Sequence, residues 1–316
     1  MKRILCAALI LVLILGLCGC EELDVYLEKF SDYLFASEYR DPSMQFTRPP
    51  AVTNPTIPAE EEEIEEPQRV FNNTDFVYIL DYVPSAQIQL RYAGRNNFTG
   101  QQIYGFSEAF LRYGTVMKLK AAADMLAEQG YKLRVWDAFR PVSAQAELWR
   151  LYPNPAYIAD PAYSHSSHSR GNTVDVTLLD EKGQPVVMPT DYMEFSLKAD
   201  RDYSDCSDEA RINALILQVA MESAGFKGYE AEWWHYTDTE SYPVQSEFSP
   251  LAVQWYYANC NEFISLRVGP DASEEVLCNI QVNETFMVLA EYGDFFLVDY
   301  KGQQGYVMKS YAAPKS

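Results

Sequence analysis

Ser166-Ser167-His168-Ser169-Arg170-Gly171-Asn172-Thr173-Val174-Asp175 and Glu232-Trp233-Trp234-His235-Tyr236 are the two stretches on which the reading of this chain turns. Together they supply two imidazoles, one carboxylate to complete a metal site and a second carboxylate to act as a base. A catalytic zinc needs such a set: three protein ligands of His/Asp/Glu type, an open fourth position and a nearby proton acceptor. Histidine is scarce here. Only His165, His168 and His235 occur in 316 residues, and two of them sit in these stretches. Thr173 to Leu178 alternates and reads as a strand with Asp175 on one face. Glu232-Trp233-Trp234-His235 reads as another strand, and this creates a geometric demand. Residues three apart on a regular strand face opposite ways, so Glu232 and His235 share a site only if the backbone bends or bulges between them. Spacing alone leaves the bland alternative open: solvated or salt-bridged carboxylates, and histidines satisfied by hydrogen bonds.

Around these stretches the pattern is that of a mixed α+β domain. Phe76 to Leu80 and Leu133 to Trp136 read as strands, and Ser107 to Gln129, Val142 to Tyr152 and Glu209 to Ser223 as helices. Gly130 and Gly225 stand where helix C-caps are expected, and Pro141 suits a first helical turn. Helices mixed with strands, without regular βαβ alternation, indicate an α+β fold. Hydrophobic residues make up 48% and aromatics 14% of the chain, enough for a sizeable core. The formal charge of −20 argues against nucleic acid as a partner, which needs a basic face, and against electrostatic docking on anionic lipid.

The N-terminus carries targeting signals. Met1-Lys2-Arg3 is basic, and Ile4 to Leu17 is almost wholly apolar. That run is shorter than the roughly 20 residues that span a bilayer, so it reads as a signal segment. It ends in Leu17-Cys18-Gly19-Cys20, which resembles the bacterial lipobox. The resemblance implies a signal peptide over 1–20, lipidation of Cys20, anchorage to the membrane through that lipid and an extracytoplasmic address. An ordinary cleaved signal with incidental cysteines is the alternative. Residues 21–70 read as a tether. Six prolines between Asp41 and Gln68 and the acidic block Glu60 to Glu66 stiffen and extend it. Beyond the signal, Cys206, Cys260 and Cys278 show no metal or redox spacing. Cys260 and Cys278 fall in one small C-terminal region, where an exported location permits a disulfide without requiring one.

Asp137-x-Phe139-Arg140-Pro141, the His168 block with Asp175, and Glu232-Trp233-Trp234-His235-Tyr236 are similar to the three motif blocks of the VanX-type D-alanyl-D-alanine dipeptidases. The similarity runs from about Phe76 to Tyr242. It implies a peptidase domain over 71–248 with one zinc per chain held by His168, Asp175 and His235. It implies Glu232 as general base and Arg140 as the cation that stabilises a developing oxyanion, a role worth roughly 3 kcal/mol. Asp191, in Thr190-Asp191-Tyr192-Met193-Glu194, matches the segment that binds a substrate ammonium, and Ser166 is a pocket residue by the same likeness. One of the two tryptophans is assigned to the core, and His165 to a loop without a role.

Residues 252–316 resemble a bacterial SH3-like domain, from Asn259-Cys260-Asn261 through Gly269-Pro270 to Gly305-Tyr306-Val307. Short alternating strands there read as a small all-β barrel. Such a domain implies binding of cell-wall peptides; a spacer without ligand is the alternative. Three functional readings follow: a zinc D,D-dipeptidase acting on D-Ala-D-Ala, a D,D-carboxypeptidase acting on peptidoglycan stem peptides, and an inactive wall-binding lipoprotein.

Overall fold

The computed structural model describes residues 69–155 and 157–315, which fall in one compact unit. The signal segment 1–20 with Cys20, and residues 21–68 of the tether, lie outside the described residues.

A five-stranded sheet organises the first half. Its strands are β2 (Gln87–Ile88), β4 (Tyr131–Asp137), β5 (Thr173–Asp180), β6 (Phe226–Tyr229) and β7 (Glu232–Asp238), in the order β2-β4-β5-β7-β6. β2 runs parallel to β4, and the remaining pairs are antiparallel, so the sheet is mixed. β5 is central and buried along most of its length. Its Val174, Val176 and Leu178 enter a core shared with Val116, Leu119 and Leu126 of α2 (Tyr113–Ala127) and Leu217 and Met221 of α4 (Asp208–Ser223). By the two-residue period, Thr173, Asp175 and Thr177 take the other face. The helix α4 starts on a Ser207 cap whose hydroxyl accepts from Ala210 N at 3.2 Å, with Asp208 and Glu209 in the first turn.

Two expected elements differ at their ends. The strand expected over Phe76 to Leu80 stops as β1 (Phe76–Tyr78), and Ile79–Tyr82 turns into the short helix α1. Ile79 and Val83, four apart, are both buried and joined by a backbone hydrogen bond of 2.9 Å, a helical rather than an extended repeat. The helix expected from Ser107 begins only at Tyr113, because Phe110–Arg112 forms β3 against β1. Phe110 belongs to an aromatic cluster that no isolated helix would reach.

The second half is a seven-stranded antiparallel sheet ordered β10-β9-β13-β12-β11-β8-β14. Its strands are β8 (Phe248–Ala258), β9 (Phe263–Arg267), β10 (Val276–Gln281), β11 (Thr285–Tyr292), β12 (Phe295–Tyr300), β13 (Gln303–Met308) and β14 (Ala312–Pro314). The expected barrel closure is not seen: β10 and β14 form the two edges, unpaired with each other. β8 runs through residues 248–252 and pairs with β11 from Phe248 to Tyr257. A cluster of Phe76, Phe110, Phe139, Phe248, Leu289, Leu297 and Tyr306 joins the two halves. Phe76 stacks on Phe248 with ring centroids 4.0 Å apart. Cys260 carries no disulfide, so no bridge to Cys278 is formed.

Candidate active site

Three strands and one short helical turn bring the predicted residues together. β5 and β7 pair so that Asp175 lies directly opposite His235. A register shift at Trp136 sets Asp137 of β4 against Asp175 from the other side. His168 rides on a single 3-10 turn, Ser167–Arg170, capped by the Ser166 hydroxyl, which accepts from His168 N at 3.3 Å. The turn ends at Gly171 with φ 76°, and a Cβ there would stand 2.5 Å from the Phe76 ring, so only glycine fits. Arg140 N donates to His168 O at 3.3 Å and Ser169 Oγ to Arg140 O at 2.8 Å, which ties the arginine motif to the histidine motif.

The bulge demanded by the spacing of Glu232 and His235 is present. Gly228 pairs with Tyr236 and Tyr229 with Glu232, so one step on β6 corresponds to four on β7. The Glu232 carboxylate consequently lies 3.6 Å from His235 Nδ1.

The donor set is fitted to a cation. One ligand atom from each of His168, Asp175 and His235 lies within 4.8 Å of the others. His168 Nδ1 is 2.8 Å from the Ala138 carbonyl, which can only accept, so Nε2 keeps its lone pair toward Asp175 Oδ1, 3.4 Å away. His235 Nδ1 stands 3.0 Å from the same oxygen. Asp175 Oδ2 takes the Tyr192 hydroxyl at 2.9 Å. Oδ1 is buried and has no hydrogen-bond partner. Lone pairs converging on one buried point repel unless a positive charge sits among them, and a divalent ion of nitrogen and oxygen preference meets that need.

Burial by itself would raise the Asp175 carboxyl, but His168 and His235, when protonated, outweigh it and hold it well below the usual carboxylate range. Burial pushes the Glu232 carboxyl up, His235 opposes it and Asp175 adds to it; the net direction is upward. A carboxylate of raised pKa is the stronger base toward a proton of water. Arg140 is buried, and although burial alone disfavours its charge, Asp137 more than compensates. Its Nε and Nη2 donate to Asp137 Oδ2 at 3.0 and 2.6 Å, and Nη1 to Gln145 Oε1 at 2.9 Å. Asp137 Oδ1 accepts in turn from Tyr104 and from Ala138 N, so both oxygens of the buried carboxylate are hydrogen-bonded.

Arg140, Ser166, His168, Asp175, Glu232 and His235 all line one open cleft of about 630 Å³. Asp191 does not: its carboxylate is 73% exposed and paired with Arg91 at 2.5 Å. Its neighbour Met193 reaches the cleft instead, and Tyr192 holds Asp175. Both tryptophans, not one, are fully buried. His165 lines the cleft. The supporting groups Tyr192, Gln145 and Tyr104 were missed from sequence. They carry no motif of their own and only the three-dimensional pairing reveals them.

A family model described as D-ala-D-ala dipeptidase matches residues 72–254, and one described as bacterial SH3 domain matches residues 262–313. The chain is 32% identical to the D-alanyl-D-alanine dipeptidase of Escherichia coli (strain K12) over 178 residues, covering 56% of this chain and 92% of that protein. It is 31% identical to the enzyme of that name from Enterococcus faecalis (strain ATCC 700802 / V583), covering 51% and 90%, and 30% identical to that from Enterococcus faecium, covering 53% and 94%. With the family matched over more than half of its length and His168, Asp175, His235, Glu232 and Arg140 gathered in one cleft, this chain belongs to the D-ala-D-ala dipeptidase family of metallo-dipeptidase hydrolases, carrying a bacterial SH3 domain behind the catalytic one.

Proposed function

We propose that this protein is a zinc-dependent D,D-dipeptidase that hydrolyses D-Ala-D-Ala outside the cytoplasmic membrane, in cell-wall peptide metabolism. The observation that carries the reading is the orphaned Asp175 Oδ1, flanked by two imidazole nitrogens, with Glu232 and Arg140 on the same cleft. His168 through Nε2, His235 through Nδ1 and Asp175 through Oδ1 would hold the zinc. Zinc, when bound, supplies a Lewis acid that polarises the scissile carbonyl and lowers the pKa of a water to about 7.

The other work falls to the chain's own side chains. Glu232 takes a proton from the attacking water on a carboxylate oxygen and delivers it to the departing amine nitrogen. Arg140 spends three of its five N–H donors on Asp137 and Gln145. That clamp fixes the guanidinium plane, and the remaining donors stabilise negative charge developing on the carbonyl oxygen. Arginine suits this place because it stays charged even when buried. The Asp137–Arg140 and Tyr192–Asp175 contacts keep the groups in register before substrate arrives, so little reorganisation is left for the reaction itself.

A D,D-carboxypeptidase reading has one observation in its favour. The cleft of about 630 Å³ is in the range that takes a drug-sized ligand, more than two alanyl residues fill. The purified protein should therefore be offered D-Ala-D-Ala and a stem pentapeptide, with and without a chelator. Release of alanine from the dipeptide, abolished by chelator and restored by zinc, supports the dipeptidase. Turnover of the pentapeptide alone would transfer the assignment to the carboxypeptidase, and zinc binding without turnover of either would leave a wall-binding protein. The address is a separate matter: the lipobox-like Cys20 and the SH3 domain support a lipid-anchored, wall-associated enzyme. A Cys20→Ala variant that stays in the membrane fraction would refute the anchor.

A further inference from the structure

A bulge that turns two side chains to one side of a strand also turns carbonyls out of the ladder, and buried carbonyls need donors. In β7 the displaced residues are Trp233, Trp234 and His235, the segment that lets Glu232 and His235 meet. One side chain serves it. Arg201 Nε donates to Tyr229 O at 2.9 Å, and Nη2 donates to both Trp233 O and His235 O at 3.0 Å. Nη1 reaches the Tyr236 hydroxyl at 3.2 Å, and the guanidinium lies 4.4 Å from the centre of the Tyr236 ring. Its backbone N also donates to Glu230 O at 3.0 Å, which secures the β6–β7 turn. The room for this group comes from Gly228. A Cβ there would stand 2.3 Å from Arg201 Cζ.

We propose that Arg201 is a positioning residue for the reaction: its planar fork locks the β7 bulge and so holds Glu232 and His235 on the same side of the strand. It is not among the residues that line the cleft and acts on them through the backbone of β6 and β7 and through the Tyr236 side chain. Lysine cannot substitute, because an ammonium offers its donors from one point whereas these acceptors are spread around a plane. The inference rests on the reading of His235 as metal ligand and Glu232 as base.

The test uses the full chain with Arg201→Met, Arg201→Lys and Gly228→Ala, each measured for zinc affinity by chelator competition, for kcat and KM on D-Ala-D-Ala, and for thermal midpoint. Arg201→Met and Arg201→Lys should each weaken zinc about 10- to 100-fold and lower kcat roughly 100-fold with little change in KM. Added guanidinium ion should return part of the kcat of an Arg201→Ala variant. A folded Arg201→Met protein whose zinc affinity and kcat both match the wild type overturns the proposal. Should Arg201→Met not fold, Gly228→Ala decides, since it keeps the arginine and evicts its guanidinium: the same losses support the proposal, and wild-type values overturn it. If the wild type itself does not turn over D-Ala-D-Ala, the functional reading fails, and the zinc-affinity comparison still decides for or against Arg201.

Discussion

The two sheets of this molecule are built to opposite rules. In the five-stranded sheet, register shifts at Trp136 and across Trp233–His235 fall in the strands that carry Asp137, Glu232 and His235, whereas those of the seven-stranded sheet fall at the buried apolar residues Leu277 and Leu289. Every buried polar or charged residue among those described, from Arg69 to Asp238, lies before β8. The seven-stranded sheet buries none: its own core is Ile264, Leu266, Ile280, Phe286, Val288, Val298, Val307 and their apolar neighbours. Buried charges cost desolvation even when well paired, so a site such as Asp137–Arg140–Asp175–His168 adds little to stability and needs apolar support from elsewhere. The joining cluster of Phe76, Phe139, Phe248 and Leu297 supplies it. Phe139 stands between Ala138, whose carbonyl takes His168 Nδ1, and Arg140. The second sheet therefore braces the catalytic motif as well as forming a domain of its own.

The sharpest break between the two regions is chemical. Glu232→Gln removes the base without removing a metal ligand; turnover should fall about 10²- to 10⁴-fold while zinc content by metal analysis stays at that of the wild type. His235→Ala should lose both zinc and turnover. Because only the folded state brings His168, Asp175 and His235 together, added zinc should also raise the thermal midpoint of the wild type in a concentration-dependent way and leave that of His235→Ala nearly unmoved. Near-normal turnover by Glu232→Gln would remove it from the mechanism.

Next comes the joint. Phe139→Ala deletes a side chain 2% exposed, packed edge-on to Phe76 at 4.8 Å and to Phe248 at 5.3 Å. The cavity should cost about 3–5 kcal/mol in denaturant unfolding. Because its neighbours in the chain position His168 and carry the guanidinium, kcat of the folded fraction should also drop, roughly 10- to 100-fold. Full kcat at that stability loss would show that the joint supports the fold but not the site.

What the sequence disclosed follows from the same contrast. That His168, Asp175, His235, Glu232 and Arg140 share one cleft was legible because motif residues with few alternatives carry them; only three histidines exist to choose from. The need for a bulge at Glu232–His235 was deducible from the two-residue period of a strand. Its means of support was not, because Arg201 is remote in sequence and only the fold brings it to Trp233 O and His235 O. Asp191 shows what a motif match leaves out. A motif match offered it as a substrate contact, yet its side chain turns outward to Arg91 while Tyr192, one residue on, takes the buried place on Asp175. Phe248 reads as an ordinary apolar residue at a domain edge, but it stacks on Phe76 and starts β8.

The smallest effect on chemistry, and the one that isolates the second region, belongs to Phe286. It is fully buried in the core of the seven-stranded sheet, outside the cluster that touches β1, β3 and Phe139. Phe286→Ala should cost about as much stability as Phe139→Ala, again 3–5 kcal/mol, since the ring buried is the same. Its kcat on D-Ala-D-Ala, per folded molecule, should nevertheless remain that of the wild type, because Phe286 packs in the separate core of that sheet and not in the cluster that holds Phe139. Equal destabilisation with unequal kcat separates bracing from mere folding. A Phe286→Ala protein as slow as Phe139→Ala would mean that the whole second sheet, and not its face toward Phe139, is coupled to the site.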